Sequence, residues 1–260
     1  MSAVQVQTKQ YYHDRTRADM ERHLKMPDWT TRQKMALGCR ILAADGHESA
    51  LAGQFSVRGE KPGTYWMLGF GLGFDEASAS NIVLCDDELR VFEGTGMVNG
   101  ANQFHLWIYR QRQDVNCIVH THPPHASALS MIGEPLVVSH MDTALFHEDC
   151  GYLPEWPGLP IGDDEGRIIH AALGDKRTAL LAHHGLLAVA ATVEEASMLA
   201  LFLERAAHWQ LLAQAAGKVK PIKPELAREA HDWRLHPKLI GAQFHYYARR
   251  VLKAGDDCLK

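Results

Sequence analysis

Apolar residues recur at helical spacing through residues 29–45 (WTTRQKMALGCRILAAD), predicting a helix capped by Thr30 or Thr31 and broken at Gly46. Short runs at 53–58, 65–70 and 81–85 read as strands separated by glycine-rich turns. Residues 102–112 have amphipathic helical periodicity, and CIVH follows as a short buried strand that delivers His120. After Pro123 and Pro124 a helix is expected at 125–132 and a strand at 136–139. The stretch 149–167 is rich in proline, glycine and acidic residues and reads as an exposed loop. Two apolar strands are expected at 178–183 and 186–190. A long helix then opens at Thr192, where Thr192 and Glu195 match a capping box, and closes at Gly217. Glu204 and Arg205 on it read as a solvated face, and Trp66, Trp107 and Trp209 as core or contact residues. Strands alternating with helices predict an α/β layered domain. Three prolines punctuate residues 218–260, which end in an aromatic, basic helix around 244–250. The expected division is therefore an N-terminal extension (1–28), a main domain (29–217) and a C-terminal tail (218–260).

Composition narrows the function classes. Apolar residues make up 46% of the 260 positions and the formal net charge is -4, with no basic stripe, which argues against nucleic acid or an anionic membrane as partner. The polar opening segment lacks the apolar core of a signal peptide, no stretch approaches a membrane span, and a cytoplasmic location is expected. Five scattered cysteines form no C-x-x-C pair, so neither a disulfide framework nor a thiolate zinc site is indicated.

Histidine placement carries the chemistry. In His120-Thr-His122, residues two apart project from one strand face, aiming two imidazoles at one point where the strand ends. A functional metal needs a third ligand and open positions for water or substrate. The pair His183-His184 before Gly185 offers it, but strand alternation allows only one of the two to face the metal, and spacing alone does not choose between them.

Four segments, 46–58, 70–84, 102–130 and 178–188, resemble the class II aldolase/adducin superfamily, typified by fuculose-phosphate and rhamnulose-phosphate aldolases and ribulose-phosphate epimerase. The resemblance runs from about Met35 to Gly217. It implies a three-layer α/β/α fold around a mostly antiparallel sheet and a homotetramer with active sites at subunit interfaces. It also implies a divalent metal on His120, His122 and His184, with zinc first and manganese, iron or cobalt as alternatives. His183 then becomes a supporting residue, and the tail at 218–260 would pack over the active site or a subunit interface.

Departures from the family pattern shape the expected reaction. The glutamate that shuttles protons in the sugar-phosphate aldolases falls on Ala101, and the tyrosine lent by a neighbouring subunit falls on Met141. The phosphate-binding positions fall on Gln54, Phe70, Asn99 and Gly100, and Phe70 cannot donate a hydrogen bond. A non-phosphorylated carboxylic acid is therefore the expected small-molecule substrate. A metal acting as Lewis acid would serve retro-aldol cleavage and decarboxylation alike, because both leave an enolate. Some family members are decarboxylases of aromatic acids; some relatives in aminocoumarin biosynthesis are non-haem iron oxygenases; and the adducin branch works as a non-catalytic interaction module. Candidate acid/base residues are His140, Asp142, His125 and Tyr247, with Glu148, His147 and Tyr246 nearby in sequence.

Overall fold

The computed structural model describes residues 6–47 and 49–260. An eight-stranded sheet runs in the order β4-β3-β2-β1-β5-β8-β7-β6. Its strands are β1 (Gln54–Arg58), β2 (Thr64–Leu68), β3 (Ile82–Asp86), β4 (Val91–Glu93), β5 (Cys117–Thr121), β6 (Cys150–Leu153), β7 (Thr178–Leu181) and β8 (Gly185–Ala190). Neighbours pair antiparallel, except that β6 and β7 are parallel. The central strands β5, β7 and β8 are buried along their length.

Helices cover both faces because successive strand residues point to opposite sides. On β5, Cys117 and Val119 join a core with α2 (Thr31–Ala44), α6 (Val193–Ala216) and α8 (Pro237–Leu252). Ile118, between them, faces a second core with α3 (Gln103–Gln111) and α5 (Asp163–Leu173). The result is the three-layer α/β/α arrangement with a mostly antiparallel sheet. His120 follows the Ile118 phase, and the Phe104 ring of α3 meets it edge-on at 5.2 Å.

Local chemistry sets the helix starts. Thr30 caps α2: its hydroxyl accepts from Gln33 N, and Gln33 Oε1 accepts from Thr30 N. At α6, Thr192 Oγ1 accepts from Glu195 N (3.2 Å). The expected capping box stays half-formed there, because the Glu195 carboxylate accepts from Arg177 instead (3.1 Å). The long α6 is buried almost all round, as expected of a helix lodged between sheet and outer helices.

Several elements differ from the sequence expectation. Residues 136–139 form no strand and lie outside the sheet; Val137 N donates to Gln210 Oε1 (2.7 Å) and Val138 O accepts from Ile222 N (2.9 Å). Those two bonds, with Ser139 N donating to Thr143 Oγ1 (3.1 Å), take the place of strand partners for part of the segment. The expected loop at 149–167 contains β6 and the start of α5, whose first turn Asp163, Asp164 and Glu165 suit the positive end of a helix. α1 (Lys9–His23) forms within the N-terminal extension, and α7 (Pro224–Arg234) forms in the tail. α8 extends the expected tail helix and packs on α2 and α6.

Candidate metal centre

Antiparallel pairing brings the C-terminal end of β5 beside the N-terminal end of β8, with His120 opposite Leu187. His122 sits just past β5 and His184 just before β8, so one pair of strand ends delivers three imidazoles. The ring nitrogens converge: His122 Nε2 is 2.9 Å and His184 Nε2 3.2 Å from His120 Nε2. Among the described residues this is the one group of three or more His, Cys, Asp or Glu side chains able to share an ion, with ligand atoms all within 4.8 Å. His183, with φ +55°, turns the chain through a left-handed conformation as it enters His184. Gly185 is needed next, because a Cβ there would lie 2.4 Å from Thr121 O and 2.8 Å from His122 Cδ2.

The donor set fits a divalent cation. His120 Nδ1–H donates to Leu186 O (2.8 Å), which leaves the Nε2 lone pair facing its neighbours. Burial, then the two neighbouring imidazoles, holds the pKa of His120 well below the usual histidine range. Burial also lowers that of His122, and burial with His122 beside it lowers His184 to about 4. Neutral imidazoles are the metal-binding form. For ligands about 2.05 Å from an ion, nitrogens would be about 2.9 Å apart at right angles and about 3.3 Å apart at tetrahedral angles. Both observed separations fall within that interval.

Two further buried histidines bond to side chains of β1 and β5, one on each face of the sheet. His105 Nδ1 lies 2.7 Å from Ser56 Oγ, and His47 Nδ1 lies 2.9 Å from Thr121 Oγ1. Burial drives the pKa of each down to about 3. Neither stood out in the sequence, since nothing local marks a core histidine.

The candidate substrate residues gather beside β5. Gln54 pairs with His120 in the β1–β5 register, and Gln54, Phe70 and Asn99 line one narrow cleft of about 20 Å³, whereas Gly100 is exposed and does not line it. That volume admits about one water. Phe70 is 44% exposed, and Asn99 Oδ1 accepts from Ala101 N (3.0 Å).

The four candidate acid/base residues lie elsewhere in the chain. Asp142 and Tyr247 line a cavity between α6, α7 and α8, where Arg234 donates to Asp142 (2.6 Å) and Arg205 to the Tyr247 hydroxyl (2.9 Å). His140 packs edge-on against Trp209 (5.0 Å) and accepts from Asp142 N. His125 Nδ1–H donates to Glu204 Oε1 (2.6 Å) and its ring stacks on His208. None of the four hydrogen-bonds to the histidine trio among the described residues.

Glu204 corrects the expectation of a solvated face. It is 5% exposed and accepts from His125 N (3.0 Å) and Ala126 N (2.7 Å), the first turn of α4 (Pro124–Met131). Its carboxylate thus anchors the helix that begins two residues after His122. Arg205 is only partly buried, held against Tyr247 and Asp45.

Comparison with known proteins matches these features. The Class II Aldolase and Adducin N-terminal domain model covers residues 33–211. Decarboxylase NovR of Streptomyces niveus is 33% identical over 184 residues, 70% of this chain and 68% of that protein. The 4-hydroxy-3-prenylphenylpyruvate oxygenase/4-hydroxy-3-prenylbenzoate synthase of Streptomyces roseochromogenus subsp. oscitans is 32% identical over 184 residues, 70% of this chain and 66% of that protein. The L-fuculose 1-phosphate aldolase structure from Glaciozyma antarctica PI12 superposes with a TM-score of 0.82 at 27% identity, covering 91% of this chain and 98% of that one.

Proposed function

Because the chain belongs to the class II aldolase and adducin N-terminal domain family, we propose that it is a divalent-metal-dependent C–C lyase, a decarboxylase or aldolase, acting on a non-phosphorylated hydroxy, oxo or aromatic carboxylic acid. The observation that carries this is the convergence of His120, His122 and His184 on one point. A divalent ion held by the three imidazoles would supply Lewis-acid stabilisation of the negative charge left when the bond to carbon breaks.

The chain's own groups do the rest. The Leu186 carbonyl fixes the His120 tautomer, and Gly185 lets His122 approach β8. Phe70 and Met141, both exposed, stand where sugar-phosphate aldolases carry a phosphate ligand and a proton donor. That exchange favours a flatter, less charged substrate. We assign proton transfer to His140, Asp142, His125 and Tyr247, which, in the homotetramer we propose, one subunit would lend to its neighbour's histidines.

A second reaction class has its own support. Three histidines without a carboxylate leave open positions that also suit Fe(II), and one relative is named as an oxygenase of a phenolic 2-oxo acid. Metal-stripped protein reloaded separately with Zn(II), Mn(II), Co(II) and Fe(II) separates the two. With a 4-hydroxy-2-oxo acid or an ortho-hydroxy aromatic acid, whose C–C cleavage leaves an enolate or its phenolic equivalent, the lyase releases an aldehyde or CO2 at the same rate under argon and air, and a phenolic 2-oxo acid probes the oxygenase. Stoichiometric oxygen uptake would assign an oxygenase instead. His122→Ala should lose metal retention and at least about 100-fold in turnover; unchanged metal content would remove the centre altogether.

A further inference from the structure

α6 clasps one imidazole from two sides. Glu204 and His208 stand one turn apart on it and so share a face. The His125 ring, at the start of α4, lies flat against His208, with centroids 3.8 Å apart and 22° between the planes. Its Nδ1 edge meets Glu204 Oε1 at 2.6 Å. Glu204 is buried and also accepts from the backbone N–H groups of His125 and Ala126. An ionised carboxylate only accepts, so the proton of the neutral His125 ring sits on Nδ1 and the lone pair on Nε2.

Anchoring α4 takes only the two backbone N–H groups, which almost any residue at 125 would supply. The imidazole adds something else. Its Nε2 makes no hydrogen bond among the described residues and is not one of their buried unpartnered atoms, so it is open to solvent. The ring borders an open pocket of about 220 Å³ shared with Asp45, Glu204, Arg205 and His208. Arg205 is turned to Asp45 (3.7 Å) and the Tyr247 hydroxyl, and among the described residues His125 is the one basic side chain paired with Glu204. A ring fixed on its edge and its face, a buried counter-charge and an accessible lone pair are what proton transfer needs.

We propose that Glu204 is a positioning residue that makes His125, through Nε2, the base of the reaction proposed above. The assignment rests on the lyase reading. In aldol cleavage Nε2 takes the proton of the substrate alcohol as the C–C bonding pair passes to the enolate; the imidazolium, held against Glu204, then returns the proton to the enolate carbon. In decarboxylation the imidazolium supplies the proton that replaces CO2. Proton–nitrogen correlation spectra of the full-length, Zn(II)-loaded protein labelled at histidine test the positioning, with His125→Gln identifying the signal. The neutral His125 ring of the parent should carry its proton on Nδ1. Turnover is read with 4-hydroxy-2-oxopentanoate and 2,3-dihydroxybenzoate. His125→Gln keeps both backbone bonds to Glu204; it should lose about 100-fold or more in kcat, with KM within about threefold and metal content unchanged. Glu204→Gln keeps the shape without the counter-charge and should lose about tenfold or more in kcat at similar KM. If Glu204→Gln does not fold, the parent spectrum and His125→Gln still decide. A neutral ring protonated on Nε2, or parental kcat in either variant, would overturn the assignment and leave the lyase reading standing. Cleavage of neither acid class would sink both.

Discussion

At the scale of single residues, the histidine cluster was legible where chemistry is local. A two-residue repeat at a strand end is enough to place His120 and His122 together, and the glycine after His184 marks a close approach. The structure gives that glycine its cause: Gly185 lies against the Thr121 carbonyl and the His122 ring. Gly185→Ala should therefore displace the β5–β8 junction, costing about 1–3 kcal/mol and lowering the melting temperature. Metal affinity, read by competition with a chromogenic chelator, should fall about tenfold or more. Unchanged affinity would mean the Cβ is absorbed without moving His122. Glu204 was not legible, because its partners stand 78 and 79 positions away and nothing in the surrounding α6 sequence separates a buried glutamate from an exposed one. Glu204→Gln keeps one acceptor and replaces the other by a donor facing a backbone N–H. It should destabilise the protein by about 1–3 kcal/mol, seen in urea unfolding. A variant as stable as the parent would restore the solvated-face reading.

Between residues and the whole molecule, the elements most easily recognised were those with a clear period: α2, α3, β5, β8 and α6. The misread ones draw their stability from partners distant in sequence. β6 has only four residues and its one strand neighbour, β7, begins at Thr178, so no hairpin signal announces it. What fixes its start is Asp149, which accepts from Arg177 N (2.8 Å) and Arg177 Nε (2.6 Å), with His231 of α7 at 3.3 Å. Burial pushes the Asp149 carboxyl up, but the His231 and Arg177 contacts outweigh it and hold its pKa below the ordinary value. A carboxylate with a depressed folded pKa adds stability that is present above its unfolded pKa of about 3.9 and is lost as pH falls through the folded value. Asp149→Asn keeps the shape and removes the charge. Its penalty should be about 1–3 kcal/mol at pH 7 and should shrink as pH falls below the unfolded pKa of about 3.9. Urea unfolding of both proteins across that range checks this; a penalty constant with pH would show that charge is not what ties β6, β7 and α7 together.

For the whole molecule, the layered fold followed from the alternation of strands and helices, whereas its response to acid follows from what the fold buries. His47 beside Thr121 and His105 beside Ser56 sit in opposite cores with folded pKa values of about 3 each, against about 6.5 in an unfolded chain. The unfolded state therefore binds up to two more protons than the folded state between those limits. Stability from these groups is intact above about pH 6.5 and falls as pH drops toward 3, by up to about 1.4 kcal/mol per pH unit for each histidine. His47→Gln keeps a hydrogen-bonding side chain for Thr121 but cannot titrate. Metal-free parent and variant, unfolded in urea at pH 7, 6, 5 and 4, should differ in slope by the uptake of one proton, with the variant flatter. Parallel slopes would mean that His47 gains water and a proton without unfolding, and that the acid sensitivity resides with His105 and the carboxylates.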